Sequence, residues 1–450
     1  MVKKRTQELM TKSERVLLRS FSVLGTPTDL IFEKGEGVKL WDTEGKEYID
    51  ICSFFQCVNL GYGRRELHDA AIEQMNQIEF GSSVAPYANI PLIEYAEALG
   101  KVTSKSINRF LFTTGGTTSN EFAIKIARLF WTINGKSTKY KVICLQDAYH
   151  GAGYLTGGLM GKWTGRIPYG PEASGVVRAP RYYCYRCPFM LKYPDCDIRC
   201  ARYLDTVIEM EEEDSIAAFI GEPIQGFGGG ITPPPEYWPL VREICSKHNV
   251  LLIADEVMSG FCRTGKMFAM EHWNVEPDIL TMGKGITSIY LPFGAVGVSD
   301  KVYETLLGCE FVLGLTAAGH PVLCAVAKAA LDIYVKHEIA EHVTKLGNHV
   351  RARLDSEFLP LPHVGETAGL GLFLSIEIVA DKDTKAKFPP EKDVMFTVIR
   401  RRCWEKGLFP RIYYSSYSDR LFFTPPLIIT KEEADRALDI LYSIIAELEM

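Results

Sequence analysis

From Arg109 to Lys284 the chain repeats one pattern: a short apolar run, a small-residue turn, then a longer stretch whose apolar residues recur at three-and-four spacing. The runs are RFLFTT, YKVICLQD, IAAFIGEP, VLLIADE and DILTMGK. This alternation predicts an α/β fold in which helices cover both faces of a mostly parallel sheet. Ahead of it, GEGVKLWDTEGKEYIDICSF alternates apolar and polar residues about Thr43, Glu44 and Gly45, which predicts a small antiparallel hairpin leading into a helix. Helices are expected around Glu66–Ile78 and Ile90–Leu99. Past about His320 the pattern changes to long amphipathic helices, strands at GLFLSIEIV and RLFFTPPLIIT, and a last helix from Lys431. Thr430 and Glu433 stand as the two halves of a capping box for that helix.

Composition narrows the class of partner. A chain of 450 residues allows two or three domains with a large core. Its 50 basic and 56 acidic side chains leave a formal net charge of −6, which offers no general attraction for nucleic acid or anionic membrane, so a small molecule is the expected partner. The first twenty residues interleave charge every few positions, unlike the apolar core of a signal peptide. No later stretch reaches the roughly 18 uncharged apolar residues of a membrane span, and a cytoplasmic location is expected. Twelve cysteines in a reducing compartment are expected as packed thiols or metal ligands rather than disulfides.

In open parallel sheets the ligand crevice lies beyond the carboxyl ends of the strands, so the polar residues after each apolar run carry the candidate chemistry. Gly115, Gly116 and Thr117 sit between a strand and a helix, where free N–H groups and the positive helix terminus suit an anion; a plain structural turn is the alternative. Asp255 ends an apolar strand, and a buried carboxylate there needs a cation, a structural partner such as Arg263 being the alternative. Lys284 ends another strand between two glycines; desolvation would free its amine for Schiff-base chemistry, unless it is simply paired with a carboxylate. Tyr149 and His150 fall where an aromatic could cover a flat ring, or serve only packing.

An anion cradle, an aromatic face, a buried carboxylate and a reactive amine together meet the requirements of a pyridoxal 5'-phosphate site. The strings TTGGTTSNE, YHG, GEPIQG, ADEV, RTG, TMGKG and LTAAGHP occur in that order. From about Gly35 to the C-terminus the chain thereby resembles the class III pyridoxal-phosphate-dependent aminotransferases of fold type I, and within them it is most similar to the taurine and ω-amino-acid transaminases. The resemblance implies a large cofactor-binding domain over residues 66–319 and a smaller α+β domain built from both termini, 1–65 and 320–450. It implies that Lys284 carries the cofactor and moves protons, that Asp255 holds the pyridinium proton, and that Gly115, Gly116 and Thr117 bind the phosphate. Tyr149, with His150 beside it, would stack on the ring, and Val257 would press the other face. Glu222 matches an acidic residue near the substrate end. Thr316 matches a position that reaches a phosphate in a neighbouring subunit, which implies a homodimer or a dimer of dimers. The substrates implied are an amine donor and a 2-oxo acid acceptor such as pyruvate or 2-oxoglutarate.

Two positions depart from the family pattern. Met258 stands where many members have a Gln that bonds the cofactor's phenolic oxygen, and Phe422 stands where many have an Arg that grips an α-carboxylate. Arg420, two residues earlier on the same strand face, and Arg411 are the candidates for an acidic substrate group, with ordinary surface arginines as the alternative. Phe54 and Phe55 match a region lining the substrate pocket, although two adjacent aromatics after a strand also suit a core. An amino-acid epimerase or racemase using the same cofactor, and a non-catalytic ligand-binding relative, are the competing functions.

One cluster lies outside the resemblance. Cys184, Cys187, Cys196 and Cys200 are separated by 3, 9 and 4 residues, so two close pairs could hold a structural zinc, against reduced thiols packed in an insertion. Cys52, Cys57 and Cys262 show no usable spacing.

Overall fold

The computed structural model of the protein describes residues 3–161 and 166–448. The alternating N-terminal segment forms an antiparallel meander of β1 (Phe32–Glu36), β2 (Lys39–Asp42) and β3 (Glu47–Asp50). Gly45 closes the β2–β3 turn at φ 86°, a value that costs glycine little, and its N–H donates to the Asp42 carbonyl at 2.9 Å. The next full helix, Arg65–Gln77, is reached only after a left-handed turn that no local pattern announces. Residues Ser53, Phe54, Phe55 and Gln56 take φ values of 46°, 45°, 73° and 58°. Left-handed backbone costs roughly 1–2 kcal/mol per L-residue, so tertiary contacts must hold it. Ser53 Oγ donates to the Thr424 carbonyl at 2.5 Å and Gln56 Nε2 to Thr424 Oγ1 at 2.8 Å, two anchors supplied by the far end of the chain.

The large sheet contains all five expected strands and two more: β4 (Ile107–Thr113), β5 (Lys141–Leu145), β6 (Val176–Ala179), β7 (Ile216–Gly221), β8 (Leu251–Asp255), β9 (Ile279–Met282) and β10 (Gly294–Ser299). Their order is β4-β10-β9-β8-β7-β5-β6, parallel throughout except for β10, which runs antiparallel to both its neighbours. The sequence of β10, GAVGVS, carries little apolar signal because its neighbours crowd it. A Cβ on Gly297 would stand 2.6 Å from Ile107 Cγ2, and one on Gly294 would stand 2.6 Å from Thr113 Oγ1.

Helix Gly116–Ile133 lays Phe122, Ile126 and Phe130 on one face of this sheet, in a core with Ile253, Ile279 and Val296. On the other face Trp238, from helix Tyr237–Lys247, joins Phe219, Leu252 and Leu280. With both faces covered, β7, β8 and β10 are buried along their whole length, which is why two of them read as unbroken apolar runs.

After helices Pro321–Lys336 and Ile339–Arg353 come β11 (Val364–Leu370), β12 (Phe373–Ile378), β13 (Leu408–Phe409), β14 (Arg411–Tyr414) and β15 (Asp419–Phe423). Four of them form an antiparallel sheet ordered β11-β12-β15-β14. The fifth, β13, pairs in parallel with β3, Leu408 opposite Ile49, and so joins the N-terminal meander to the C-terminal part. Helix Lys431–Ala446 has the capping box expected of it: Glu433 N donates to Thr430 Oγ1 at 3.2 Å and Thr430 N to Glu433 Oε2 at 3.0 Å. No helix among the described residues is long and apolar enough to cross a membrane.

Candidate active site

The carboxyl ends of β4, β8 and β9 and the chain after β5 and β7 converge on one crevice of about 200 Å³. Its lining includes Gly115, Gly116, Thr117, Tyr149, His150, Glu222, Asp255, Val257 and Lys284. Nine residues scattered over 170 positions of sequence therefore meet because each terminates, or closely follows, a strand of one sheet.

Asp255 is buried, and it is not paired with Arg263. Its Oδ2 accepts from His150 Nδ1 and from Asn120 Nδ2, both at 2.7 Å, and its Oδ1 accepts from Val257 N at 3.1 Å. Since a carboxylate only accepts, His150 donates from Nδ1, and its Nε2 is left buried with no partner. Asn120, one helical turn beyond Gly116, is itself fixed by Thr281 Oγ1, which donates to its Oδ1 at 2.6 Å. Arg263 instead serves the fold, donating to the carbonyls of Leu372 and Pro425 and to Asn59 Oδ1. Its place in the chain, eight residues beyond Asp255, carries it past the crevice to the C-terminal segment.

Lys284 begins a single turn after β9, at φ 43°, a left-handed conformation that strains a residue with a Cβ. Its ammonium has no ion pair or hydrogen bond among the described residues, which removes the carboxylate-paired alternative. Burial pushes its pKa below the usual lysine range, helped by the positive charge of Arg411 and opposed chiefly by Cys57. The glycines on either side are required by close packing. A Cβ on Gly283 would meet Gly116 N at 3.1 Å, and one on Gly285 would meet Asn59 Nδ2 at 2.6 Å.

Helix Gly116–Ile133 opens on the crevice, and Val257 lies across its first residue so closely that a Cβ on Gly116 would fall 2.6 Å from Val257 Cγ1. Tyr149 is half-buried in the wall, with Phe227 5.0 Å away centroid to centroid. Glu222 is buried, accepting from Tyr149 N at 3.0 Å and Gly226 N at 2.8 Å. Burial pushes its carboxyl up to about 7, against the pull of His150. Met258 also lines the crevice, its thioether packed over Gly226.

These features fit the cofactor that the resemblance implies. The cradle at Gly115–Thr117 offers the N–H groups of a helix start to a phosphate. A buried carboxylate held in place by His150 and Asn120 suits a protonated ring nitrogen, and an unpaired amine suits an aldehyde. The orphaned His150 Nε2 marks this wall as polar and open to a further partner.

The substrate candidates divide. Arg411 is beside the crevice, its guanidinium hydrogen-bonded to Gln56 Oε1 and standing 5.0 Å from the Phe55 ring and 5.3 Å from the Phe422 ring. Arg420 is fully buried elsewhere, between Glu366 at 2.7 Å and Glu377 at 3.2 Å, with Tyr183 Oη and Ser375 Oγ also in reach. It cannot receive a substrate, because two carboxylates from β11 and β12 already hold it. Phe54 and Phe55 are 36% and 53% exposed, which excludes the core alternative. Thr316 is exposed and outside the crevice lining. Gln56, missed from sequence, is visible only through the long-range contact that the left-handed turn creates.

Known proteins resemble this chain along most of its length. The family described as aminotransferase class-III matches residues 21–445. The putrescine–pyruvate aminotransferase of Pseudomonas aeruginosa is 35% identical over 413 residues, covering 91% of this chain and 88% of that protein. Gamma aminobutyrate transaminase 1, mitochondrial, of Solanum lycopersicum is 33% identical over 429 residues, covering 93% and 82%. Among solved structures, an (S)-enantioselective omega-transaminase from Thermomicrobium roseum superposes with TM-score 0.92 at 37% identity, covering 99% of each chain. An amine transaminase from an uncultivated Pseudomonas species, in its PLP-bound form, gives TM-score 0.91 at 28% identity, covering 96% and 98%.

Proposed function

Because the chain belongs to the class III aminotransferases, enzymes that depend on pyridoxal 5'-phosphate, we propose that it takes the amino group of a donor carrying a terminal amine and passes it to a 2-oxo acid. Taurine, β-alanine-like ω-amino acids and diamines are the donors in view, and pyruvate or 2-oxoglutarate the acceptors. The cofactor, when bound, supplies an electron sink for the carbon that bears the amine. The residues of this chain do the rest. Lys284, whose burial favours the neutral amine, would take and return the proton at that carbon. Asp255, fixed by His150 and Asn120, would hold a proton on a ring nitrogen. The start of helix Gly116–Ile133 would hold the phosphate, and Tyr149 and Val257 would confine the ring. By the resemblance Thr316 would complete the phosphate site of a second subunit in a homodimer.

The observation that carries the substrate class is the state of Arg411. Its guanidinium is hydrogen-bonded to a neutral amide rather than a carboxylate, and it lies against Phe55 and Phe422. Phe422 offers nothing to an α-carboxylate, whereas Arg411 can leave Gln56 for an acidic group and return to it when the group departs. An amine on an apolar or distal carbon therefore fits the donor half-reaction, and a 2-oxo acid carboxylate fits the acceptor half-reaction.

A panel of donors with pyruvate and with 2-oxoglutarate tests this. Terminal amines such as putrescine, taurine and β-alanine are expected to exceed 2-amino acids in kcat/KM by about tenfold or more. Equal or inverted preference would sink the proposal. In Arg411→Met, kcat/KM for the 2-oxo acid is expected to fall about 10- to 100-fold, the worth of a charged hydrogen bond, and to fall less for putrescine. A uniform loss for both would assign Arg411 to the fold instead.

A further inference from the structure

Away from the crevice, residues 180–198 contain no helix or strand, yet they follow a defined path. Met190, Asp197 and Ile198 take φ values of 57°, 49° and 44°, and for Ile198, which is β-branched, that conformation is a steric outlier. The segment carries three of the twelve cysteines, and a fourth, Cys200, stands in the first turn of the helix Arg199–Met210 that follows it. All four are free thiols, and all four line one cavity of about 20 Å³ closed by Leu191 and Pro234. Cys184 is exposed, which provides an entry path.

We propose that Cys184, Cys187, Cys196 and Cys200 together ligate a thiophilic metal centre, a zinc ion or an iron–sulfur cluster. The close pairs, separated by 3 and 4 residues, and the four sulfurs around one void are the ligand set that thiolate-bound metals take. Zinc with bonds of about 2.3 Å draws its sulfurs to about 3.8 Å apart. No three of these sulfurs lie mutually within 4.8 Å, so zinc requires them to close inward, whereas a polynuclear cluster accepts a wider spacing.

The centre has a structural role. Its segment reaches the crevice wall, where Tyr182 Oη donates to the Glu222 carbonyl at 2.7 Å. It also reaches the antiparallel sheet, where Tyr183 Oη and Arg186 Nε donate to Glu377 at 2.5 and 2.8 Å. A metal would thus pin the strap that joins the two sheets, in place of the secondary structure it lacks.

The experiment is elemental analysis, with acid-labile sulfide, of full-length cofactor-loaded protein purified anaerobically without added chelator. About one zinc per chain without sulfide identifies zinc; about two or four irons with matching sulfide identifies a cluster. Either result supports the proposal when it disappears in the Cys184→Ser/Cys200→Ser variant. As a check that does not depend on a variant folding, stripping the metal from the unaltered protein with a chelator is expected to lower Tm by about 5 °C or more, and re-addition to restore it. Metal below about 0.1 per chain with four titratable thiols overturns the proposal, as does a disulfide among the four by mass spectrometry or equal metal in the variant.

Discussion

Lys284→Ala is expected to lose at least about 10³-fold in kcat for transamination while keeping its fold. Both halves of that expectation follow from how the lysine is held. Its amine has no ion pair among the described residues, so truncation leaves no buried carboxylate without a partner. Its left-handed φ of 43° is kept by the packing of Gly283 and Gly285 against Gly116 and Asn59, contacts that do not involve the side chain. The proton at the donor carbon then has no base within the crevice lining as well placed. Asp255 is committed to His150, Asn120 and Val257, and Glu222 is fixed by two backbone N–H groups. Steady-state kinetics and a thermal melt check it together. An activity above a tenth of the unaltered enzyme would show that the lysine is not the proton carrier, and a collapsed melt would show that it is structural.

Arg420→Ala is expected to be the most damaging of the arginine truncations, by about 3–5 kcal/mol of stability, the cost of leaving a buried charge without its partner. Glu377 is fully buried and receives Arg420, Arg186, Tyr183 and Ser418; Glu366 faces Arg420 from the adjacent strand. Removing the guanidinium leaves two carboxylates facing each other across β11 and β12, with Arg186 on Glu377 as the cation that remains. The double variant Arg420→Met with Glu377→Gln removes charge of both signs and is expected to recover part of the loss. Thermal unfolding measures both. A variant that melts normally but shows a raised KM for the 2-oxo acid would restore Arg420 as a substrate ligand and contradict the buried network.

The contrast between Lys284 and Arg420 explains what was legible in the sequence. Strand ends could be found because β7, β8 and β9 are buried on both faces and so read as apolar runs that stop abruptly at Gly221, Asp255 and Gly283. The same logic located Lys284 and the helix start at Gly116. What failed was any choice that depends on a partner far away in the chain. Period-2 alternation puts Arg420 and Phe422 on one face, but only β11 and β12, brought alongside by folding, show that this face already holds two carboxylates. Arg263 was a plausible partner for Asp255 by proximity in sequence. The actual partners, Asn120 and His150, come from a helix and a loop more than a hundred residues upstream. Strand β10 stayed hidden because steric crowding by β4 made its residues small, and the left-handed turn at Ser53–Gln56 because its anchor is Thr424.

The account stands on one amine meeting one aldehyde opposite one buried carboxylate. Sodium borohydride treatment of the cofactor-loaded protein, followed by proteolysis and mass mapping, locates the amine that carries the cofactor. The label is expected on Lys284 and on no other lysine; a label elsewhere, or full activity in protein that takes up no cofactor, would contradict it.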